Sequence, residues 1–331
     1  MKAMLSKEVG GPETLKLTEL PDPEVKKGHL LVRVRASGVN FPDTLMIRDL
    51  YQMKPPRPFA PGGEIAGDVI GVGEGVKGFA KGDRVLALTG HGGFVTHINV
   101  PATSAAVIPD DMPYDEAACF VFTYGTSHHA LKDRARLKAG ESLLILGAAG
   151  GVGAAAIELG KATGAKVIAA VSSEEKAAFC REIGADDTIV YPRELDRDAQ
   201  KALSAQIKEL AGPDWANVIY DAVGGDYAEP AIRALAWEGR YLVIGFPAGI
   251  PRIPLNLTLL KGSQIMGVFW GASVFRDPKG HAANLRELFA LYEAGRNRPH
   301  ISARFPLENA AEALKLMDAR KVMGKVVVTM D

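Results

Sequence analysis

The stretch "LLILGAAGGVGAAAIELGKATGAKVIAAVSSEEK", Leu143–Lys176, decides the fold because an apolar run, a glycine-rich turn and a small-residue helix follow one another. The apolar run is typical of a buried strand, "GVGAAAIELGKATG" predicts a helix, and "KVIAAV" (166–171) predicts a second strand. This order predicts a parallel β–α–β unit. The turn has two interpretations: a cradle for a phosphate, or a tight corner where helix and strand pack closely.

The same alternation extends through the middle of the chain. Further strands are predicted at "DDTIVY", at "WANVIYDAV", at 240–246 and at 264–270, and the first strand is taken as 142–148. Helices are predicted at "SEEKAAFCREIG", near 197–211 and near 226–236. Apolar strands separated by helices predict an α/β fold with a doubly wound parallel sheet.

The regions before and after this segment have different residue patterns. Up to about residue 120, short β-branched runs are broken by Gly and Pro, which predicts a β-rich domain. After residue 270, two helical patterns flank "HISARFPLEN", and the chain closes with the strand "GKVVVTM".

Composition excludes several classes of protein. The 331 residues are 47% hydrophobic, and 39 basic residues balance 39 acidic ones, so neither nucleic acid nor a membrane surface is expected as a main partner. The two cysteines match no metal or redox spacing, and no run approaches a membrane span. The N-terminus lacks the apolar core of a signal peptide, so we expect a cytoplasmic protein.

The turn has the spacing of a dinucleotide-binding motif, with Ala148 in the first glycine position, followed by Gly150 and Gly153. Gly150 permits close approach of the backbone to a pyrophosphate, and Gly153 permits contact between helix and strand. The helix that opens at Gly151 and Val152 presents backbone N–H groups to the anion. The context therefore favours the phosphate-binding interpretation.

The end of the second strand predicts which dinucleotide binds. An acidic residue there would bond the ribose hydroxyls of NADH, but Val171 is followed by Ser172 and Ser173, with Lys176 on the next turn. Hydroxyls and an ammonium suit the extra phosphate of NADPH. Alternatively, one serine only caps the following helix, and both interpretations can hold at once.

With "GVGEGVKGFAKGDRV" (71–85) and "GRYLVIG", these features resemble the medium-chain dehydrogenase/reductase superfamily over essentially the whole chain. "ASGVNFPDTLMIRDLY" and "TIVY" resemble its zinc-independent quinone oxidoreductases (NADPH:quinone reductases). The resemblance implies a β-rich GroES-like catalytic domain, residues 1–120 completed by 271–331. It also implies a Rossmann-type NADP-binding domain at 121–270.

Metal-dependent members of that superfamily hold a catalytic zinc with Cys, His-Glu and a further Cys or acid. By this resemblance Asn40 stands where the first Cys would fall, Gly63 replaces the His before Glu64, and only Cys119 lies near the third position. We therefore expect no zinc. Without a Lewis acid, hydride transfer from NADPH suits an acceptor activated by conjugation.

The leading hypothesis is direct hydride transfer to quinones, without zinc or flavin. One alternative is reduction of the C=C bond of an α,β-unsaturated carbonyl or enoyl thioester. Another is a non-catalytic NADPH-binding protein.

The resemblance also implies roles for individual residues. Asn40 and Asp43 would form the floor of the cleft, and Tyr51 would be a proton donor or only a rim aromatic, while Arg48 is expected in an ion pair. Further cofactor contacts are expected from residues near the adenosine phosphate, the nicotinamide or the cofactor phosphates, namely Tyr191, Thr126, Gly245, Phe246, Phe269, Trp270, Gly271 and Lys325. Phe269 and Trp270 are alternatively ordinary core, and Lys325 alternatively solvated.

The last predicted strand, "QIMGVFW", is apolar enough to be a paired edge of the sheet. Members of this type pair through that edge, so we expect a homodimer.

Overall fold

The computed structural model of the protein describes residues 1–330, so residue 331 of the predicted return segment lies outside the described residues. The chain divides into two compact units. The first contains Met1–Phe122 and the residues from Pro299 onward, and the second is Thr123–Arg298. In residues 1–330, no helix is long and apolar enough to cross a membrane.

The strands of residues 1–330, in chain order, are β1 (Lys2–Leu5), β2 (Lys16–Glu19), β3 (His29–Val39), β4 (Glu64–Val72), β5 (Arg84–Leu88), β6 (His97–Pro101), β7 (Ala105–Val107), β8 (Ser142–Leu146), β9 (Lys166–Val171), β10 (Asp187–Val190), β11 (Ala216–Asp221), β12 (Leu235–Val243), β13 (Gln264–Gly267), β14 (Ile301–Pro306) and β15 (Lys325–Thr329).

The α-helices of the same residues are α1 (Phe41–Met46), α2 (Tyr114–Ala117), α3 (Val121–His128), α4 (Gly151–Thr163), α5 (Glu174–Glu182), α6 (Arg197–Ala211), α7 (Ala228–Arg233), α8 (Asn256–Lys261), α9 (Trp270–Arg276), α10 (Pro278–Glu293) and α11 (Ala310–Asp318). A π-helix follows α3 at His129–Arg134, and short 3₁₀ turns lie at Pro12–Thr14, Ala102–Ser104, Gly225–Tyr227 and Leu307–Asn309.

The first unit is built on an open sheet in which β14, β15, β3, β4, β5 and β7 are neighbours in that order, while β6 also pairs with β3. Its pairs are antiparallel except β14 with β15, which are parallel. The C-terminal strand β15 therefore lies inside the sheet, beside β3. Apolar side chains of β3, β4 and β15 form the core with α11.

The second unit confirms the predicted fold class. All neighbours in its sheet are parallel, in the order β10-β9-β8-β11-β12-β13. Strand β8 is buried along its whole length, as expected for a parallel strand covered on both faces. The strand order reverses between β8 and β11, and this reversal marks the ligand crevice of doubly wound sheets.

Several boundaries in the second unit differ from the sequence prediction. Strand β12 begins at Leu235 instead of residue 240, and its pairing with β11 is irregular between Leu235 and Arg240. Consequently α7 ends at Arg233. Strand β13 ends at Gly267 instead of residue 270, because Phe269 and Trp270 begin α9.

The division into units also differs from the predicted domains. Helices α9 and α10 belong to the second unit, whereas the prediction attached everything from residue 271 to the first. The return to the first unit occurs at Pro299, just before β14.

Candidate active site

The surroundings of Gly150 and Gly153 bear on whether the glycine turn is a phosphate cradle or only a tight corner. A Cβ on Gly153 would lie 2.5 Å from the carbonyl oxygen of Gly147 and 2.7 Å from Cα of Ala148, so packing alone requires glycine there. A Cβ on Gly150 would meet nothing closer than that same oxygen, at 3.5 Å. Gly150 is extended, with φ −77° and ψ 168°, a conformation any residue adopts. Packing therefore explains why residue 153 is glycine, whereas neither packing nor backbone conformation requires glycine at position 150.

The turn leads into α4, whose N-terminus has no side-chain cap. Gly150 is the N-cap and supplies no side-chain hydrogen bond, while Ala148 is fully buried beneath it. The first N–H groups of a helix have no partner within the helix, so those of Gly151 and Val152 are available to bind an anion. The dipole of α4 adds to their attraction for a phosphate.

The end of β9 shows that its two serines do different things. The Oγ of Ser173 accepts a hydrogen bond from the backbone N–H of Lys176 at 3.3 Å and caps α5. The Nζ of Lys176 lies 3.5 Å from the Oγ of Ser172. The capping alternative thus holds for Ser173, whereas Ser172 stands with the Lys176 ammonium.

Tyr191 lies between the glycine turn and the end of β9. Its backbone N–H donates to the carbonyl of Val171 at 2.9 Å. Its ring packs on Tyr227, with 4.6 Å between centroids, and burial raises the pKa of the Tyr191 phenol. The turn, the serine–lysine pair and Tyr191 thus share one end of the parallel sheet.

Sequence reasoning missed Asp221, the last residue of β11. Its Oδ1 accepts hydrogen bonds from the backbone N–H groups of Val223 and Gly224, at 2.8 and 2.9 Å, and its Oδ2 accepts from the Tyr241 hydroxyl. Burial raises the pKa of Asp221, which is 2% exposed. The carboxyl thereby holds the loop that follows, which lies close to the glycine turn: a Cβ on Gly147 would be 2.9 Å from Val223 Cγ2. An acidic residue at the carboxyl end of a buried strand was the available signal.

The residues predicted near the nicotinamide differ in their surroundings. Trp270 is 6% exposed, and its indole fills the space beside Gly125, where a Cβ would lie only 2.5 Å away. The core alternative therefore holds for Trp270. Phe269 and Phe246 are 63% and 45% exposed, so neither is core of its unit. Thr126 is buried in α3. A Cβ on Gly245 or on Gly271 would meet no atom closer than 3.9 Å.

In the first unit, four buried side chains form what we call the polar cluster: Asn40, Asp43, Glu64 and Lys325. The Lys325 ammonium donates to Asn40 Oδ1 at 2.7 Å and to Glu64 Oε1 at 2.9 Å. Burial alone would lower the pKa of Lys325, but the Glu64 carboxylate and other nearby charges raise it. Lys325 is 3% exposed, so the solvated alternative is wrong, and the structure groups this lysine with the catalytic candidates.

Asn40 and Asp43 occupy the start of α1 as a capping box. Asp43 accepts the N–H of Asn40 at 2.8 Å and that of Gly62 at 3.0 Å. Burial raises the pKa of Asp43 to about 6, although both hydrogen bonds and Lys325 oppose the rise. The Asn40 amide donates to Glu64 Oε1 at 3.0 Å and makes a longer contact of 3.4 Å with the Gly38 carbonyl.

Tyr51 lies half-buried against the core of the first unit. Burial and the charge of Asp43 raise the pKa of its phenol, so the hydroxyl stays protonated at neutral pH. Arg48 pairs with Asp318 at 2.6 Å, which confirms the predicted ion pair.

Comparison with known proteins assigns this chain to a family. Residues 26–110 match the family model described as alcohol dehydrogenase GroES-like domain, and residues 151–285 match the one described as zinc-binding dehydrogenase. A quinone oxidoreductase-like protein 2 homolog of Nematostella vectensis is 37% identical, covering 99% of this chain and 88% of the relative. A quinone oxidoreductase of Pseudomonas aeruginosa is 35% identical, covering 96% of both chains. The chain belongs to the zinc-independent quinone oxidoreductase family.

A solved structure of this family shows the same fold. The Escherichia coli quinone oxidoreductase, complexed with NADPH, superposes with a TM-score of 0.89 at 29% identity, covering 99% of this chain and all of that one. The family name agrees with the resemblance on which the predicted domains and site residues depend.

The resemblance to zinc-dependent relatives places Asn40, Gly63 and Cys119 at the positions of metal ligands, and the structure describes all three. Within residues 1–330, no three His, Cys, Asp or Glu side chains come close enough together to hold a metal ion. Cys119 is fully buried, and its Sγ lies 3.8 Å from the carbonyl of Val326. Instead, the Lys325 ammonium lies between Asn40 and Glu64.

Both thiols are expected to be inert in the folded protein. Burial raises the pKa of Cys119 to about 12 and that of Cys180 to about 12, and the thiolate is the reactive form. We expect less than about 5% of either thiol to react with Ellman's reagent in an hour at neutral pH, and both to react in guanidinium chloride. Rapid labelling of the native protein would contradict this expectation.

Glu158, in the middle of α4, was also missed by sequence reasoning. Its Oε2 accepts from the Tyr124 hydroxyl at 2.5 Å and from the backbone N–H of Arg298 at 3.2 Å. Burial raises the pKa of Glu158 to about 7, although both hydrogen bonds oppose the rise. The folded protein therefore binds this proton more tightly than the unfolded chain does.

Glu158→Gln is expected to reduce the pH dependence of stability. Because the pKa of Glu158 is raised on folding, the group stabilises the fold at low pH and this contribution is lost as pH rises from about 4.5 to about 7. The variant should be more stable than wild type by about 1–3 kcal/mol at alkaline pH and about equal to it in acid. Urea unfolding across this range measures the difference; a variant less stable than wild type at alkaline pH would refute the assignment.

Proposed function

We propose that the protein is an NADPH-dependent oxidoreductase that reduces quinones by direct hydride transfer, without zinc or flavin. The observation that carries the cofactor assignment is the end of β9, where Ser172 and the Lys176 ammonium stand in place of an acid. These groups suit a 2′-phosphate and would leave the ribose hydroxyls of NADH without an acidic partner. The NADPH complex of the E. coli family member supports the same cofactor.

NADPH would be held at three places in the second unit. Gly150 leaves room for the pyrophosphate, the N-terminus of α4 supplies N–H donors, and Ser172, Lys176 and Tyr191 receive the extra phosphate. When bound, the nicotinamide supplies the hydride. The residues of the chain contribute binding and orientation.

The polar cluster and Tyr51 would serve the acceptor. Reduction of a quinone places negative charge on an oxygen, which needs hydrogen-bond donors and then a proton. Asn40 offers an amide donor, and the Tyr51 phenol remains protonated at neutral pH. Names among the relatives, such as the quinone oxidoreductase of P. aeruginosa, support the quinone as acceptor.

Tyr51 also favours a second candidate, the reduction of a conjugated C=C bond in an enone or enoyl thioester. That reaction needs a proton at carbon after hydride addition, and a half-buried phenol with a raised pKa keeps its proton until then.

NADPH oxidation by metal-free protein, followed at the nicotinamide absorbance, tests these assignments. The acceptors are benzoquinone, phenanthrenequinone, hexenal and crotonyl-CoA, and NADH is the control cofactor. Faster turnover of the quinones with NADPH is the expected result. Preference for hexenal or crotonyl-CoA would favour C=C reduction, and tight NADPH binding without turnover would indicate a binding protein.

We also propose that the protein is a homodimer joined along β13. This strand is an edge of the parallel sheet, and Ile265 on it is 38% exposed. Leu255, Leu259 and Leu260, in and beside α8, are 72%, 82% and 67% exposed. An apolar open edge is unfavourable in a monomer, and a second copy would cover it. Sedimentation equilibrium should give twice the mass of one chain.

A further inference from the structure

We infer that Glu64 is a positioning residue of the reaction, which acts with Lys325 to fix the amide orientation of Asn40. The inference rests on the proposed function, because it assigns Asn40 a part in the reduction. Glu64 and Lys325 would then touch neither acceptor nor cofactor in this role.

The three side chains close a ring of hydrogen bonds. Lys325 Nζ donates to Asn40 Oδ1 at 2.7 Å, Asn40 Nδ2 donates to Glu64 Oε1 at 3.0 Å, and Lys325 Nζ donates to the same Oε1 at 2.9 Å. A flipped amide would place its NH₂ against the ammonium and its oxygen against the carboxylate. Both contacts would be repulsive, so the charged pair selects one amide orientation.

The Glu64 carboxylate is itself held from both sides. Its Oε2 accepts the backbone N–H of Phe122 at 2.9 Å, in the first turn of α3. Close packing adds to this, since a Cβ on Gly38 would lie 2.6 Å from Oε1. With both oxygens engaged, the carboxylate cannot turn away from Asn40.

The Asn40 amide also makes one longer and weaker hydrogen bond. Its second interaction, with the carbonyl of Gly38, is 3.4 Å long, compared with 3.0 Å to Glu64. The N–H in this longer contact can exchange the Gly38 carbonyl for an oxygen of the substrate at a smaller loss than the N–H bonded to Glu64 can exchange its partner. Orientation by Glu64 and Lys325 therefore determines where that hydrogen points.

Stability is a weaker reason for the pair. Glu64 is 0% and Lys325 is 3% exposed, and a buried ion pair often stabilises a fold no more than apolar residues of similar size. Removing one partner alone, however, leaves an uncompensated buried charge. A neutral pair can thus restore the fold without restoring the orientation.

The test compares Glu64→Gln, Lys325→Met and the double variant, using the acceptor that the wild type reduces fastest. Each single variant should unfold at a temperature at least about 5 °C lower than wild type, and the double variant should recover most of that loss. The kcat of the double variant should remain about tenfold or more below wild type, with the Kd for NADPH within about twofold.

A second comparison shows whether the effect passes through Asn40. In an Asn40→Ala background, adding Glu64→Gln and Lys325→Met should lower kcat no further, because the residue being positioned is absent. The matched control is Glu312→Gln with Lys315→Met, a surface pair of the same unit joined at 2.7 Å, which should leave kcat unchanged.

The outcomes separate the two proposals. The positioning role alone would be overturned if the double variant recovered its kcat together with its stability. It would also be overturned if Glu64→Gln and Lys325→Met lowered kcat further in the Asn40→Ala background. If the wild type prefers an acceptor other than a quinone, the proposed substrate is wrong and the positioning role is unaffected. No turnover with any acceptor would overturn the proposed function and this inference with it.

Discussion

Gly150→Ala is expected to weaken NADPH binding by about 100-fold while the ligand-free protein keeps its stability within about 1 kcal/mol. The added methyl meets no protein atom closer than 3.5 Å, so the fold tolerates it. It occupies the space through which the N–H groups of α4 would approach a phosphate, and charge-assisted hydrogen bonds of about 1.5–3 kcal/mol are lost. NADPH fluorescence titration and urea unfolding measure the two quantities.

Two other glycines of α4 provide matched controls. A Cβ on Gly153 meets backbone atoms at 2.5 and 2.7 Å, so Gly153→Ala should lower both stability and affinity. A Cβ on Gly160 meets only the ends of the Leu143 and Val167 side chains, at 2.8 and 2.9 Å, so Gly160→Ala should keep its affinity. If Gly150→Ala binds NADPH as wild type does, the turn is only a tight corner.

The second large effect is expected in cofactor preference. Lys176→Ala combined with Ser172→Asp should lower kcat/KM for NADPH by about 100-fold or more and raise it for NADH. The change removes an ammonium from the 2′-phosphate site and adds a carboxylate that repels the phosphate but bonds ribose hydroxyls. Initial rates with both cofactors and one acceptor measure the ratio.

A charge control accompanies this variant. Lys201, on α6, forms an exposed ion pair with Asp198 at 3.2 Å, and Lys201→Ala should leave the NADPH preference unchanged. If the double variant kept the wild-type preference, the serine–lysine pair would have no part in cofactor selection.

Local pattern was enough to predict the parallel β–α–β unit with which the sheet of the second unit begins. The apolar run of β8, the glycines that follow and the small-residue helix α4 agree on one parallel β–α–β unit, so they could be placed from sequence. The Gly153 contact is a direct consequence of that arrangement. The edge strand β13 was overextended, because apolar "VFW" continues the strand pattern although Phe269 and Trp270 begin a helix.

The polar cluster could not be predicted by the same means. Asn40, Glu64 and Lys325 are separated by up to 285 residues, and only the pairing of β15 with β3 brings the lysine to the asparagine. An isolated lysine that opens a strand gives no signal of its partner. The resemblance suggested phosphate binding for Lys325, and its role toward a cofactor stays a prediction.

The course of the chain also sets an order of assembly during synthesis. The second unit is one continuous segment, Thr123–Arg298, whereas the first needs β15 from the end of the chain. On the ribosome, the nucleotide-binding unit can therefore fold while the first unit still lacks a strand from the interior of its sheet. Glu64 and Asn40 therefore lack the Lys325 ammonium until β15 has been synthesised, so a nascent chain interrupted before β15 would contain a folded second unit and an unfinished sheet in the first.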